Sequence, residues 1–208
     1  MVTAKRRRGR PPKDKEGYNE TKEALIRAGL EILTEKGFVS SSIDEVLKKV
    51  SIPKGSFYHY FSSKEEFGKL LLERYISFFA NKLKKHLHNE ALTPLNRLQA
   101  FIADASNKME EYDFKRGCLI GNMGQEMSVI PESFREQLKE GFELWQDLIA
   151  GALQAAQETG EINSNIDCRM MAQVFWTGWE GAVMRARIEE STEPLSQFSL
   201  FFLNCLSC

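Results

Sequence analysis

An all-α fold in two parts, a short N-terminal helical unit and a larger helical unit behind it, is what the 208-residue sequence predicts. Three observations carry this. Apolar residues return at three- and four-residue spacing through one segment after another, as they do on helices with one buried face. No segment alternates apolar and polar residues in the manner of a half-buried strand. The charge is divided: through Ser62 there are 13 Lys and Arg against 8 Asp and Glu, and beyond it 15 against 21, so a net charge of -1 conceals a basic front and an acidic back. Only the front suits a polyanion. A hydrophobic content of 42% suffices for a core.

Residues 1–18 hold Lys5, Arg6, Arg7, Arg8, Arg10 and Lys13 with Gly9, Pro11 and Pro12 and show no apolar period, which predicts a disordered basic arm. From Glu20, a first amphipathic helix is marked by Ala24, Leu25, Ala28, Ile32 and Leu33 and closed by Gly37. Ser42 and Glu45 spell a capping box ahead of Ile43, Val46, Leu47 and Val50, a short second helix. Ser51, Ile52 and Pro53 break the period, and Pro53 suits the first turn of a third helix running through Lys54–Tyr60. Ser62 or Ser63 can cap a long helix to Leu87, with Phe67, Leu70, Leu71 and Tyr75 on its inner face. Further helices read at Pro94–Glu111, Cys118–Met127, Pro131–Thr159, Asp167–Glu190 and Pro194–Leu206. The domain limits expected are 19–66 and 67–208, with the boundary inside the long helix.

Two short helices packed on a longer one make a helix-turn-helix, whose second helix can enter a major groove. A generic helical hairpin shows the same capping and periodicity. The residues add more: the run Ile52-Pro-Lys-Gly-Ser-Phe-Tyr-His-Tyr-Phe-Ser-Ser-Lys-Glu-Glu-Phe67 resembles the signature of the TetR/AcrR family, and the resemblance covers Leu25 to Leu71. It implies a homodimeric repressor that binds a double-stranded DNA operator and releases it on meeting a small-molecule inducer. By matching position, Lys54, Ser56 and Tyr58 are recognition residues, with Lys54 best placed for a guanine edge and Ser56 for base or phosphate. Tyr58, His59 and Lys64 match phosphate contacts, and Gly55 and Ser42 complete the DNA-binding set. Phe57, Tyr60 and Phe61 read as core. In the arm, Arg8-Gly9-Arg10-Pro11 resembles an AT-hook core lying in a narrow minor groove; a solvated basic tail is the alternative.

In the back half, Met170–Met184 is apolar on nearly every side and so must face two partners. Gly178, Gly181 and Ala182 permit close approach, and Trp176 and Trp179 are large enough to line a cavity. With Leu195, Phe198, Phe201 and Phe202 of the last helix this predicts a four-helix dimer interface, the alternative being a monomeric core. The stretches Arg116–Glu126 and Phe175–Ala182, with Arg185, resemble an acrylate-responsive repressor of the same family, which implies acrylate or a related reactive carbonyl compound as inducer. The expected pocket comprises Cys118, Asn122, Gln125, Trp176, Trp179, Glu180 and Arg185. Glu180 needs a partner or a proton there, and Arg185 is placed to hold a carboxylate, with a structural salt bridge at the dimer interface as the rival reading. Cys118 follows Lys115 and Arg116 at a helix start, which favours its thiolate and suggests a redox or electrophile sensor; the opposing reading is a small buried hydrophobe.

Other classes find less support. The cysteines, Cys118, Cys168, Cys205 and Cys208, are spaced too irregularly for a disulfide framework, and the pair Cys205 and Cys208 has neither a second pair nor a nearby histidine to hold a metal. No cofactor is expected. No phosphate loop, nucleophile elbow or metal-ligand spacing supports an enzyme, so no catalytic residue is assigned. An adaptor without DNA binding sits poorly with Lys54, Tyr58 and Lys64. No apolar run is long enough to span a bilayer, and the basic N-terminus lacks a secretory core, so a cytoplasmic protein is expected.

Overall fold

Helix signals written in the sequence set most of the element boundaries. A computed structural model describes residues 15–207, and among them the chain forms α1 (Lys15–Lys36), α2 (Ile43–Lys49), a 3-10 turn (Lys54–His59), α3 (Lys64–Leu87), α4 (Pro94–Glu111), α5 (Leu119–Gln125), a second 3-10 turn (Glu132–Phe134), α6 (Arg135–Glu158), α7 (Cys168–Glu189) and α8 (Glu193–Ser207). No strand occurs among these residues. The capping box of α2 is present, with Ser42 Oγ accepting from Glu45 N–H at 3.2 Å and Glu45 Oε2 accepting from Ser42 N–H at 3.0 Å. Ser63 Oγ caps α3 through Glu66 N–H, Asp167 caps α7 through Met170 N–H, and Pro94 opens α4.

Two boundaries differ from expectation. The first helix begins at Lys15 rather than Glu20, because tertiary contacts extend it: the Tyr18 ring lies 4.6 Å from that of Tyr60, and Tyr18 donates its hydroxyl to His59 O at 3.2 Å. The third helix is a 3-10 turn with Pro53 as its N-cap, closed by Ser56 N–H to Pro53 O and Tyr60 N–H to Phe57 O. Gly55 weakens an α-helix in so short a segment. Residues 1–14, with Arg8, Arg10 and the AT-hook-like motif, lie outside the described residues, as does Cys208.

The N-terminal unit folds α1, α2 and the first 3-10 turn over the start of α3, around Leu25, Leu47, Phe57, Phe61 and Leu71. Behind it, α3 runs into a bundle with α4, α6 and α7, while α8 packs on α7. The centre of this bundle is aromatic. Trp145 of α6 is fully buried, its ring 4.5 Å from Phe79 and 5.1 Å from Trp176, and its indole N–H reaches Ile76 O at 3.3 Å. A Cβ on Gly178 would fall 2.3 Å from the Phe198 ring, so glycine there permits the α7–α8 approach.

Trp145 joins three helices through dispersion contacts and one hydrogen bond, so Trp145→Ala should destabilise the chain by about 3–5 kcal/mol. Equilibrium urea unfolding followed by far-UV circular dichroism measures this; a loss below about 1 kcal/mol would mean that the bundle is not organised around this residue.

Candidate DNA-reading face and ligand cavity

Phe57 anchors the first 3-10 turn, where the recognition residues are expected. Its side chain is fully buried, with Phe61 and Phe67 at centroid distances of 5.2 and 5.3 Å. With Phe57 pointing inward, Lys54, Gly55, Tyr58 and His59 are exposed and Ser56 is half-buried. A Cβ on Gly55 would meet open space, so no contact inside the chain demands glycine there. Lys54 pairs with Asp44 of α2 at 2.7 Å, but both side chains are well exposed, so the pair is weak and readily exchanged. Ser42 is exposed beside them, its hydroxyl occupied as the α2 cap.

Lys64 behaves differently from its neighbours. Its ammonium donates to Phe38 O at 2.7 Å and to Ser41 O at 2.6 Å and sits over the Phe38 ring, and burial lowers its pKa. These bonds tie the start of α3 to the α1–α2 loop and engage the ammonium that was expected to meet a phosphate.

The end of α1 is the joint between the two units. Gly37 turns the chain at φ +79°, and the Glu126 carboxylate from the end of α5 accepts Phe38 N–H at 2.8 Å and Val39 N–H at 3.3 Å. A Cβ on Gly37 would lie 2.3 Å from Glu126 Oε1, so this approach needs glycine as much as the positive φ does. Thr34 O accepts from Gly117 N–H at 2.9 Å and from Asn122 Nδ2 at 3.0 Å, and Glu35 O accepts from Arg187 Nη2 at 2.7 Å. Arg116 adds ion pairs to Glu31 and Glu35.

Against this joint lies a cavity of ≈ 280 Å³ between α5 and α7, lined by Cys118, Asn122, Gln125, Glu180, Val183 and Arg187 among others. The structure thus brings together four of the expected pocket residues and omits Arg185, which pairs with Glu189 on the exposed side of α7 at 2.9 Å. Arg187 occupies the place expected of Arg185. Helical periodicity accounts for the difference, since Arg187 stands seven residues from Glu180 and shares its face, whereas a spacing of five does not. A second cavity of ≈ 380 Å³ lies beyond Glu180, lined by Phe142, Gln146, Trp176 and Thr177 among others. Trp179 lines neither; it is packed against Phe101 and Phe175.

Glu180 separates the two cavities. Part of the residue is accessible, but Oε1 is out of reach of solvent, and it and Trp176 Nε1 are buried polar atoms without a hydrogen-bond partner among the described residues. Burial raises the carboxyl pKa to about 7. Its other oxygen rests on Gly121, where a Cβ would come within 2.0 Å. The Cys118 thiol lies close to the Glu180 carboxylate and the Tyr75 hydroxyl. Burial, then the Glu180 charge, push the thiol well above its ordinary range, outweighing the Gly121 N–H at the helix start, which weighs against the expected reactive thiolate. The cations invoked beside it are engaged elsewhere, Lys115 with Asp113 and Arg116 with Glu31 and Glu35. Tyr75, Gly121, Glu126 and Arg187 were not in the expected site; of these only Arg187 carried a sequence signal, its spacing from Glu180.

Comparison with known proteins decides the family. Residues 94–202 match the model described as tetracyclin repressor-like, C-terminal domain, and residues 25–69 that of bacterial regulatory proteins, tetR family. The chain belongs to the TetR family. It is 44% identical over 201 residues to the transcriptional regulator AcuR of Cereibacter sphaeroides, covering 97% of this chain and 91% of that one. It is 30% identical to the HTH-type transcriptional repressor NemR of Escherichia coli (strain K12), covering 88% and 92%. The crystal structure of regulatory protein TetR from Rhodobacter sphaeroides superposes with a TM-score of 0.85 at 45% identity, over 88% of this chain and 96% of that one. This TetR-family protein is a DNA-binding transcription regulator and not an enzyme.

Tyr58→Ala should weaken binding to all duplexes alike, since phosphate contacts carry no base information, and leave stability within about 0.5 kcal/mol. Lys64→Met should lower stability by about 1–3 kcal/mol, because buried carbonyls lose their donor. Denaturation and fluorescence anisotropy measure both, and a Lys64→Met protein of full stability but poor DNA affinity would restore Lys64 to the phosphate contacts. For Glu180, the native state binds the extra proton between the ordinary pKa of 4.5 and about 7, so its contribution is greatest below that window and is lost as pH rises through it. Glu180→Gln should therefore gain on the order of 2 kcal/mol relative to the native chain between about pH 5 and about pH 9. Parallel unfolding curves at both pH values would show instead that the carboxyl is solvated.

Proposed function

We propose that this regulator is a homodimeric, cytoplasmic repressor that holds a double-stranded operator with its recognition turn and releases it when a small inducer enters the cavity beside Glu180. One observation supports this most directly: Asn122 and Arg187 line the cavity and also hold the carbonyl end of α1, the helix that carries the DNA-reading unit. An occupant in contact with these side chains acts on that unit without a relay through the core. The proposed domain limits are 19–66 for DNA binding and 67–208 for ligand binding and dimerisation, with the helical residues Lys15–Tyr18 added to the first.

Dimerisation is supported by an apolar stripe on the outer side of α7 and α8. Met170, Val174, Met184, Ile188, Leu200 and Phe201 are exposed, and Gly181 faces open space between them. Leu195 and Phe202, also expected at the interface, are buried within the chain, and Phe198 packs on α7. Among the described residues no helix is long and apolar enough to cross a membrane.

The inducer class we favour is acrylate or a related small carbonyl compound, held reversibly. The neutral, buried Cys118 speaks for reversible binding over covalent capture. The test is operator release, with operator fragments selected from random duplexes and a panel of acrylate, acryloyl thioesters, methylglyoxal, quinones and hypochlorite. Release by acrylate or another small carbonyl compound, retained in Cys118→Ser, is expected. Release by none of the panel would remove the proposed inducer class, and release only with Cys118 intact would make the protein a thiol sensor.

A further inference from the structure

Arg187 is half-buried and reaches from the cavity wall to the joint. Its guanidinium donates to Asn122 Oδ1 at 3.2 Å, to Glu35 O at 2.7 Å and to Lys115 O at 3.1 Å. All three acceptors are neutral. Among the described residues Arg187 makes no ion pair, whereas its neighbours Arg116 and Arg185 are each matched by carboxylates. The side chain of Glu35, whose backbone oxygen Arg187 holds, is paired with Arg116. An arginine keeps its charge at every accessible pH, so the cavity wall carries a permanent cation that the protein solvates only with amide and peptide oxygens.

That arrangement has a chemical consequence. A guanidinium bonded to neutral carbonyls gains when a carboxylate replaces one of them, because charge-assisted bonds are roughly twice as strong and the planar fork accepts two oxygens at once. The apolar remainder of such a ligand has Val183 and Cys118 beside it. We propose, building on the cavity reading above, that Arg187 is an anion subsite: the carboxylate of a small ligand takes its guanidinium away from Glu35 O and so unties the end of α1. Ligand recognition and release of the DNA-reading unit are then one exchange of hydrogen-bond acceptors at a single side chain.

Exchange at Arg187 requires that charge, not shape, distinguish ligands. Calorimetric titration of the full-length protein without DNA, together with operator release, tests this with acrylate, propionate and the neutral isostere acrylamide. Both carboxylates should bind and release operator, with acrylamide weaker by roughly tenfold or more. Arg187→Met should lose carboxylate binding by a similar factor, and Arg187→Lys, which keeps the charge, should recover part of it; thermal melts establish that both variants fold. Since the variants also lose or weaken the bond to Glu35 O, their ligand-free operator affinity should fall. Equal binding of acrylamide and acrylate, or undiminished acrylate binding by a folded Arg187→Met protein, overturns the anion subsite while leaving a cavity inducer in place. Carboxylate binding with undiminished ligand-free operator affinity in folded Arg187→Met overturns the coupling through α1. Binding of no compound, charged or neutral, removes the cavity reading itself.

Discussion

The last turn of an α-helix ends in carbonyls that its own backbone cannot satisfy, and in α1 the other domain satisfies them. Asn122, Gly117 and Arg187 supply donors to Thr34 and Glu35, while Glu126 accepts from the two amides just past the turn at Gly37. Because α1 has 22 residues, it is a rod of roughly 33 Å. Tyr18 near its other end packs against the Tyr60 ring and bonds to the first 3-10 turn. The cavity side of the molecule and its DNA-reading face are therefore connected by one rigid element whose seating depends on a few hydrogen bonds.

That seating is polar, and the bundle behind it is not. Trp145, Trp176, Phe79 and Phe101 form a continuous aromatic interior, which resists small displacements because close-packed side chains have few intermediate arrangements. Hydrogen bonds to carbonyls exchange partners far more readily. On the proposed mechanism, motion in response to a ligand is concentrated at the joint between α1 and α5, not spread through the core.

Glu180 marks where the interior gives up stability for chemistry. A carboxyl with one unpartnered oxygen, held toward its neutral form by burial, is tolerated beside a thiol and a phenol that are themselves kept neutral. Gly121 makes the room it needs. The same burial that raises the carboxyl pKa raises that of the Cys118 thiol, so one physical cause favours the neutral form of both groups.

Much of this was legible in the order of residues, since helix caps and apolar period are local. Ser42 with Glu45, Ser63, Pro94 and Asp167 announced their helix starts, and the run from Ile52 to Phe67 announced the recognition turn and its family. Partners distant in sequence were not legible. Nothing near Lys64 signals that Phe38 and Ser41 would claim its ammonium, and nothing near Cys118 signals that its adjacent cations would turn away toward α1 while Glu180 approached. Arg187 was within reach of the helical period, yet its importance lies in Glu35, at the far side of the chain. By itself the sequence determined the helices, their order and the outward face of the turn, because hydrogen bonds between near neighbours dictate them. Tertiary structure alone decided which charges meet and which groups lose water, because both depend on what folding brings near.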